Sequence, residues 1–69
     1  MKRASRVRDE ALDIIEEGNR PSAEAIARRV EMSSADVHRC LNFLEKKGKV
    51  ETYRKEVMGV EHRLVGVNR

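Results

Sequence analysis

Apolar residues in the middle of the chain recur at helical spacing in two short stretches. The first stretch follows Ser22, a residue type favoured at the N-cap of a helix, and consists of Ile26, Ala27 and Val30. The second follows Ser33 and places apolar residues at i, i+3, i+4 and i+7, namely Val37, Cys40, Leu41 and Leu44. Asp36 stands three residues after Ser33, as in a capping box. The pattern predicts two short helices joined by a turn at 31–33.

A β-hairpin is predicted after these helices. Gly48 is expected to end the second helix in a left-handed conformation. The residues that then favour a strand are Val50, Thr52 and Tyr53. A second strand is predicted from Val60 to Val65, with one face carrying His62 and Leu64 and the other Glu61 and Arg63. Residues 55–59 lie between the strands, and Gly59 is the expected turn residue.

One aliphatic core accounts for most apolar residues, because only Phe43 and Tyr53 are aromatic. A first helix, ahead of the two described, is expected to contribute Val7, Ala11, Ile14 and Ile15 to this core. The second helix is expected to contribute Ile26, Ala27 and Val30, and the third Val37, Leu41 and Leu44. The residues expected to close it are Met32, Val50 and Leu64. Cys40 falls on the inner side of its helix, where we interpret it as a small buried hydrophobe with an unreactive thiol.

The helix after Ser33 has an open face away from its apolar stripe. At about 100° per residue this face carries no acid and is formed by Ala35, His38, Arg39, Asn42 and Lys46. Amide, imidazole and guanidinium groups suit base edges and phosphates. The same residues would equally serve solubility alone, so the face by itself leaves both interpretations open.

Three helices followed by a hairpin resemble the winged helix-turn-helix family, an α+β fold. The resemblance covers about Ser5 to Val65 and is carried by the segments PSAEAIA, MSSADV and LNFLEKKGKVE. It implies a small transcriptional regulator of a prokaryote, phage or plasmid that binds double-stranded DNA. It also implies that the third helix, about 34–47, enters the major groove and that the hairpin wing touches the DNA backbone.

The resemblance implies roles for individual residues. On the third helix, the residues placed to face DNA are Ser34, Ala35, His38, Arg39, Asn42 and Lys46. On the wing, they are Arg54, Lys55 and Arg63. Glu31 stands where the family often has glycine, so a different turn is expected there. The wing tip, residues 57–60, is apolar instead of basic, which departs from the pattern of phosphate contact.

An alternative function is a protein-interaction adaptor that binds another regulator or subunit. Apolar groups grouped at the surface often mark an interface, and the candidates here are Phe43, Val57, Met58 and Val60. A homodimer contact would use the same residues. The fold alone does not choose between DNA and a protein partner.

Length and charge set the remaining bounds. The 69 residues predict one domain, 1–69, with residues 1–4 as a flexible arm, and the net charge is +3. Residues 35–69 hold eight basic and five acidic groups, whereas residues 1–34 are balanced, so the excess lies on the third helix and wing. His38, His62 and Cys40 match no metal-site spacing. We therefore expect no enzymatic activity, no cofactor, no metal and no membrane contact, and a cytoplasmic location.

Overall fold

The computed structural model describes residues 2–68, which form three helices and an antiparallel hairpin. The helices are α1 (Lys2–Glu16), α2 (Ala23–Val30) and α3 (Ser34–Lys46). The strands are β1 (Val50–Val57) and β2 (Val60–Val67). This is the winged helix-turn-helix arrangement that the sequence predicts, and the fold class is confirmed.

The two predicted N-caps hold the starts of α2 and α3. The Ser22 hydroxyl accepts a hydrogen bond from the Ala25 backbone N–H at 3.1 Å. The Ser33 hydroxyl accepts one from the Asp36 backbone N–H at 3.2 Å. Each bond satisfies an N–H that has no partner within its helix, so two local side chains fix where α2 and α3 begin.

The turn between α2 and α3 keeps a left-handed residue although it lacks glycine. Glu31 has φ 55° and ψ 44°. The next N–H, of Met32, donates to the Ala27 carbonyl at 3.2 Å, which closes a Schellman motif. The altered turn that we expected at Glu31 is therefore not found, and the chain accepts a conformation costing roughly 1–2 kcal/mol for a non-glycine residue.

The core contains the predicted helical residues with few exceptions. Ile15 and Met32, both expected inside, are only half-buried. Small residues that the periodicity did not single out are also buried, namely Ala4 and Ala23. Cys40 is buried as predicted.

The two hairpin residues expected to close the core, Val50 and Leu64, are both buried, and Val65 is buried with them. Val65 joins Val50 in the core cluster and donates its backbone N–H to the Pro21 carbonyl at 2.9 Å. Leu64 is buried but lies outside this cluster, opposite Tyr53 in the strand pairing. Because successive strand residues point to opposite faces, the face that carries Arg63 and Val65 packs against the helices.

The wing is also longer than predicted. Residues 55–57, expected in the loop, belong to β1, and Val57 pairs with Val60. The connection is the two residues Met58 and Gly59, with φ values of 52° and 79°. Positive φ at both positions defines a type I′ turn, which suits the twist of a tight hairpin.

The expected arm is helical where the structure describes it. Residues 2–4 lie in the first turn of α1, Ala4 is 1% exposed, and Arg3 Nη1 is 3.8 Å from Asp36 Oδ2 at the start of α3. Met1, the remaining residue of the expected arm, lies outside the described residues.

Glu31→Gly is expected to increase the free energy of unfolding by about 1 kcal/mol, because glycine adopts the left-handed conformation without steric cost. Glu24→Gly, an exposed position inside α2, is the control and is expected to lower it by about the same amount. Urea unfolding followed by circular dichroism measures both. A loss of stability in Glu31→Gly would contradict a strained residue at this turn.

Candidate nucleic-acid interface

The open face of α3 lies where the sequence predicts it. Val37, Cys40, Leu41 and Leu44 point into the core. The exposed residues of the opposite side are Ser34, Ala35, Arg39, Asn42 and Lys46, and His38 is half-buried beside them. The packing of one helix face thus presents the other face as a surface.

Arg63 reaches from β2 across this face. Its Nη1 lies 3.1 Å from His38 Nδ1, and its Nη2 donates to Asn42 Oδ1 at 2.9 Å. Nη2 also donates to Glu45 Oε1 at 2.8 Å. Only 16% of the Arg63 side chain is exposed. The guanidinium therefore binds three side chains of α3 and joins the wing to this helix.

The chemistry of arginine fixes the roles of its partners. A guanidinium carries only N–H donors, so His38 Nδ1 must accept, and a neutral imidazole that accepts at Nδ1 carries its hydrogen on Nε2. For the same reason the Asn42 atom facing Arg63 is the carbonyl oxygen, and its amide nitrogen points elsewhere. Two of the predicted DNA contacts, His38 and Asn42, are thus engaged with a third, Arg63.

Glu45 completes this network, which we call the Arg63 clamp: Arg63, His38, Asn42, Glu45 and Thr52. The Thr52 hydroxyl donates to Glu45 Oε2 at 2.8 Å. The hydrogen bond from Thr52, followed by the charge of Arg63, lowers the pKa of the Glu45 carboxyl. Glu45 was not among the residues predicted to face DNA, although its spacing from His38 and Asn42, at i+7 and i+3, puts all three on one side of α3.

Arg39 is an exposed cation of α3 with a described ion pair. Its side chain is 78% exposed, and Nη1 lies 3.2 Å from Asp36 Oδ1, one turn earlier. Such an exposed pair contributes little to stability and exchanges readily with solvent. Arg39 is therefore held near the start of α3 without being buried there.

The three basic wing residues have different surroundings. Arg54 donates to Glu61 Oε1 at 2.8 Å and is 77% exposed. Arg54 and Arg63 are paired across the strands, and strand alternation places Lys55 on the opposite face of the hairpin. Only Arg54 is therefore both exposed and on the side of the wing that faces α3.

The apolar candidates fall into two separate places. At the wing tip, Met58 is 98% exposed, and Val57 and Val60 are about half exposed. Phe43 is half-buried against the core instead, with Lys47 Nζ 5.7 Å from its ring centroid. It lines a groove of about 570 Å³ between α1 and the end of α3, which includes no wing-tip residue. Phe43 and the wing tip do not form one patch.

Other chemistry is sparse within residues 2–68. No cluster of three His, Cys, Asp or Glu side chains in this range could hold a metal ion. Burial raises the pKa of the Cys40 thiol, which disfavours the reactive thiolate. Among these residues, no helix is both long and apolar enough to cross a membrane.

Comparison with known proteins identifies the family of this fold. The sequence model of the IclR helix-turn-helix domain matches residues 10–53, more than half of the chain. The match runs from α1 through both N-caps and α3 into the first half of β1. A search of curated proteins found no match. The chain belongs to the IclR helix-turn-helix family, a winged-helix DNA-binding family of prokaryotic transcriptional regulators.

Proposed function

We propose that the protein binds double-stranded DNA sequence-selectively, with α3 in the major groove. The observation that carries this proposal is the electrostatic state of the open face of α3. Both acids beside this face, Asp36 and Glu45, have arginine partners within 3.2 Å. Both carboxylates are therefore already neutralised and do not repel an anionic ligand, and the exposed pair of Arg39 can exchange Asp36 for a phosphate or a base edge at little cost.

The dimensions of α3 support this docking. The helix has 13 residues, which corresponds to a length of about 20 Å. A major groove about 12 Å wide admits an α-helix, whose diameter with side chains is about 10–12 Å. In this arrangement Ser34, Ala35, Arg39 and Asn42 meet base edges, and Lys46 approaches a phosphate. His38 contacts the DNA through its Nε2 atom.

Arg39→Ala is expected to weaken binding to the cognate duplex by about 1–3 kcal/mol, since it removes a guanidinium from the base edges. The fold should be preserved because this side chain is exposed. Fluorescence anisotropy with labelled duplex measures the affinity, and thermal unfolding checks the fold. Arg6→Ala, an exposed position of α1, is the matched control and should retain affinity. Equal affinities of the two variants would remove Arg39 from the interface.

We further propose that the wing contacts the DNA backbone, through Arg54 on the face towards α3 and Lys55 on the other. The Arg63 clamp makes Arg63 a weaker candidate for phosphate, because its guanidinium already has three acceptors. Arg54 has one exposed carboxylate partner, which a phosphate can replace at little cost.

Replacing a wing cation that contacts phosphate is expected to reduce the slope of log K against log salt by about one unit. We expect this reduction for Arg54→Ala. Lys55→Ala tests the opposite face, and a similar reduction there would place the hairpin edge-on to the backbone. Titrations of random duplex at several salt concentrations measure both slopes. If both variants keep the salt-dependence slope of the parent protein, wing contact with the backbone is excluded.

A second candidate function is association through the wing tip, with another copy or a different protein. Met58 supports it, because this side chain is 98% exposed and its φ is 52°. Asparagine and glycine suit the first position of a type I′ turn, whereas methionine gains nothing there from packing or backbone conformation. An exposed apolar tip of this kind is typical of an interface.

Met58→Glu is expected to change stability by no more than about 0.5 kcal/mol and to abolish association through the tip. Met58→Asn, which suits the turn and adds no charge, should abolish association as well. Sedimentation velocity measures self-association, and binding to random duplex shows that the domain remains functional. Unfolding of Met58→Glu would contradict the role of the tip. So would a parent that self-associates while both variants keep its sedimentation coefficient.

A further inference from the structure

We infer that Arg63 determines which bases α3 recognises, by leaving N–H donors on His38 and Asn42 to face the DNA and so favouring guanine. The inference rests on the proposed entry of α3 into the major groove. It concerns the hydrogen-bonding character of the face, which the Arg63 clamp sets before any DNA is bound.

His38 shows the effect most directly. With Nδ1 accepting from Arg63 at 3.1 Å, the remaining ring nitrogen carries the hydrogen. The side chain is half-buried beside the open face. It can therefore offer a base only an Nε2–H donor, whereas a histidine free of Arg63 could adopt either tautomer.

Asn42 is biased in the same direction. Reading adenine with two hydrogen bonds requires the amide oxygen to accept from the adenine amino group while the amide nitrogen donates to N7. Arg63 occupies one lone pair of that oxygen at 2.9 Å and presents its N–H groups beside it. These donors oppose the amino hydrogens of adenine, while the two N–H donors of Asn42 stay available.

Guanine is the base whose edge fits such donors. In the major groove it presents two acceptors, N7 and O6, whereas adenine presents one acceptor and one donor, and cytosine presents its amino donor. Arg39, on the same exposed face, adds a guanidinium that also prefers guanine.

The geometry of the fold keeps this bias in place. Glu45 holds Nη2 of Arg63 at 2.8 Å and is itself bound by the Thr52 hydroxyl at 2.8 Å. Arg63 and Thr52 lie on neighbouring strands of the hairpin. The strand pairing therefore positions the guanidinium, and Arg63 acts as a positioning residue for His38 and Asn42.

The test is selection of bound duplexes from a randomised pool by the full chain and by variants. The parent should enrich guanine at the position that Asn42→Ala relaxes, with a preference over adenine of roughly 5- to 150-fold. Arg63→Met should lose most of this preference and gain adenine there. Arg54→Met is the matched control, because Arg54 lies opposite Arg63 in the hairpin and pairs with Glu61 instead of α3. It should weaken binding without changing the preferred base.

The outcomes separate the inference from the proposed function. Enrichment of adenine at the position relaxed by Asn42→Ala would overturn the inference while leaving sequence-selective binding intact. A folded Arg63→Met variant that keeps the guanine preference would also overturn it. Thermal unfolding shows whether Arg63→Met folds. If it does not fold, the inference is decided by the base that the parent enriches at the position relaxed by Asn42→Ala: guanine supports it and adenine overturns it. A pool without any enriched sequence would overturn the proposed function and the inference together.

Discussion

The small size of the core is the constraint on which the rest of this structure depends. A chain of 69 residues buries little apolar surface, and here the hairpin contributes Val50, Leu64 and Val65, with Val67 packed against the core. The residues at the wing tip, Val57, Met58 and Val60, are exposed. A guanidinium from β2 that binds three side chains of α3 therefore orients the wing where the core does not reach. Hydrogen bonds to charged groups are strong enough for this role, at about 1.5–3 kcal/mol each.

Local patterns predicted the helices well because the forces that set them are local. Ser22 and Ser33 cap the helices they precede, and the apolar spacing after Ser33 identifies the buried face of α3. In the hairpin, Val50 and Leu64 are buried as predicted, whereas the burial of Val65 was not predicted. Alternation did not indicate it, because Leu64 and Val65 are neighbours on opposite faces; the backbone bond from Val65 to Pro21, far away in the sequence, holds this strand against the helices.

The positions of the candidate site could be predicted from the sequence, but the hydrogen bonds among its side chains could be predicted only in part. The exposed face of α3 follows from periodicity, so Arg39, Asn42 and Lys46 could be selected from sequence. The engagement of Arg63 with His38 could not, because 25 residues separate them and the contact depends on how the hairpin packs. Glu45 was available from its spacing on α3. Its role as an acceptor for Arg63 was not, because that depends on the packing of β2 against α3.

Net charge alone is a poor guide to which of these cations can bind phosphate. Arg39, Arg54 and Arg63 each have a carboxylate partner, yet the first two are more than three-quarters exposed and Arg63 is 16% exposed. A phosphate can replace Asp36 or Glu61 in an exposed pair at a cost of about 0–1 kcal/mol. Moving Arg63 would instead break three contacts at once and leave the Glu45 carboxylate without its cation. The number of acceptors and the degree of burial thus separate Arg39 and Arg54, which can exchange partners, from Arg63, which supports the exposed face of α3.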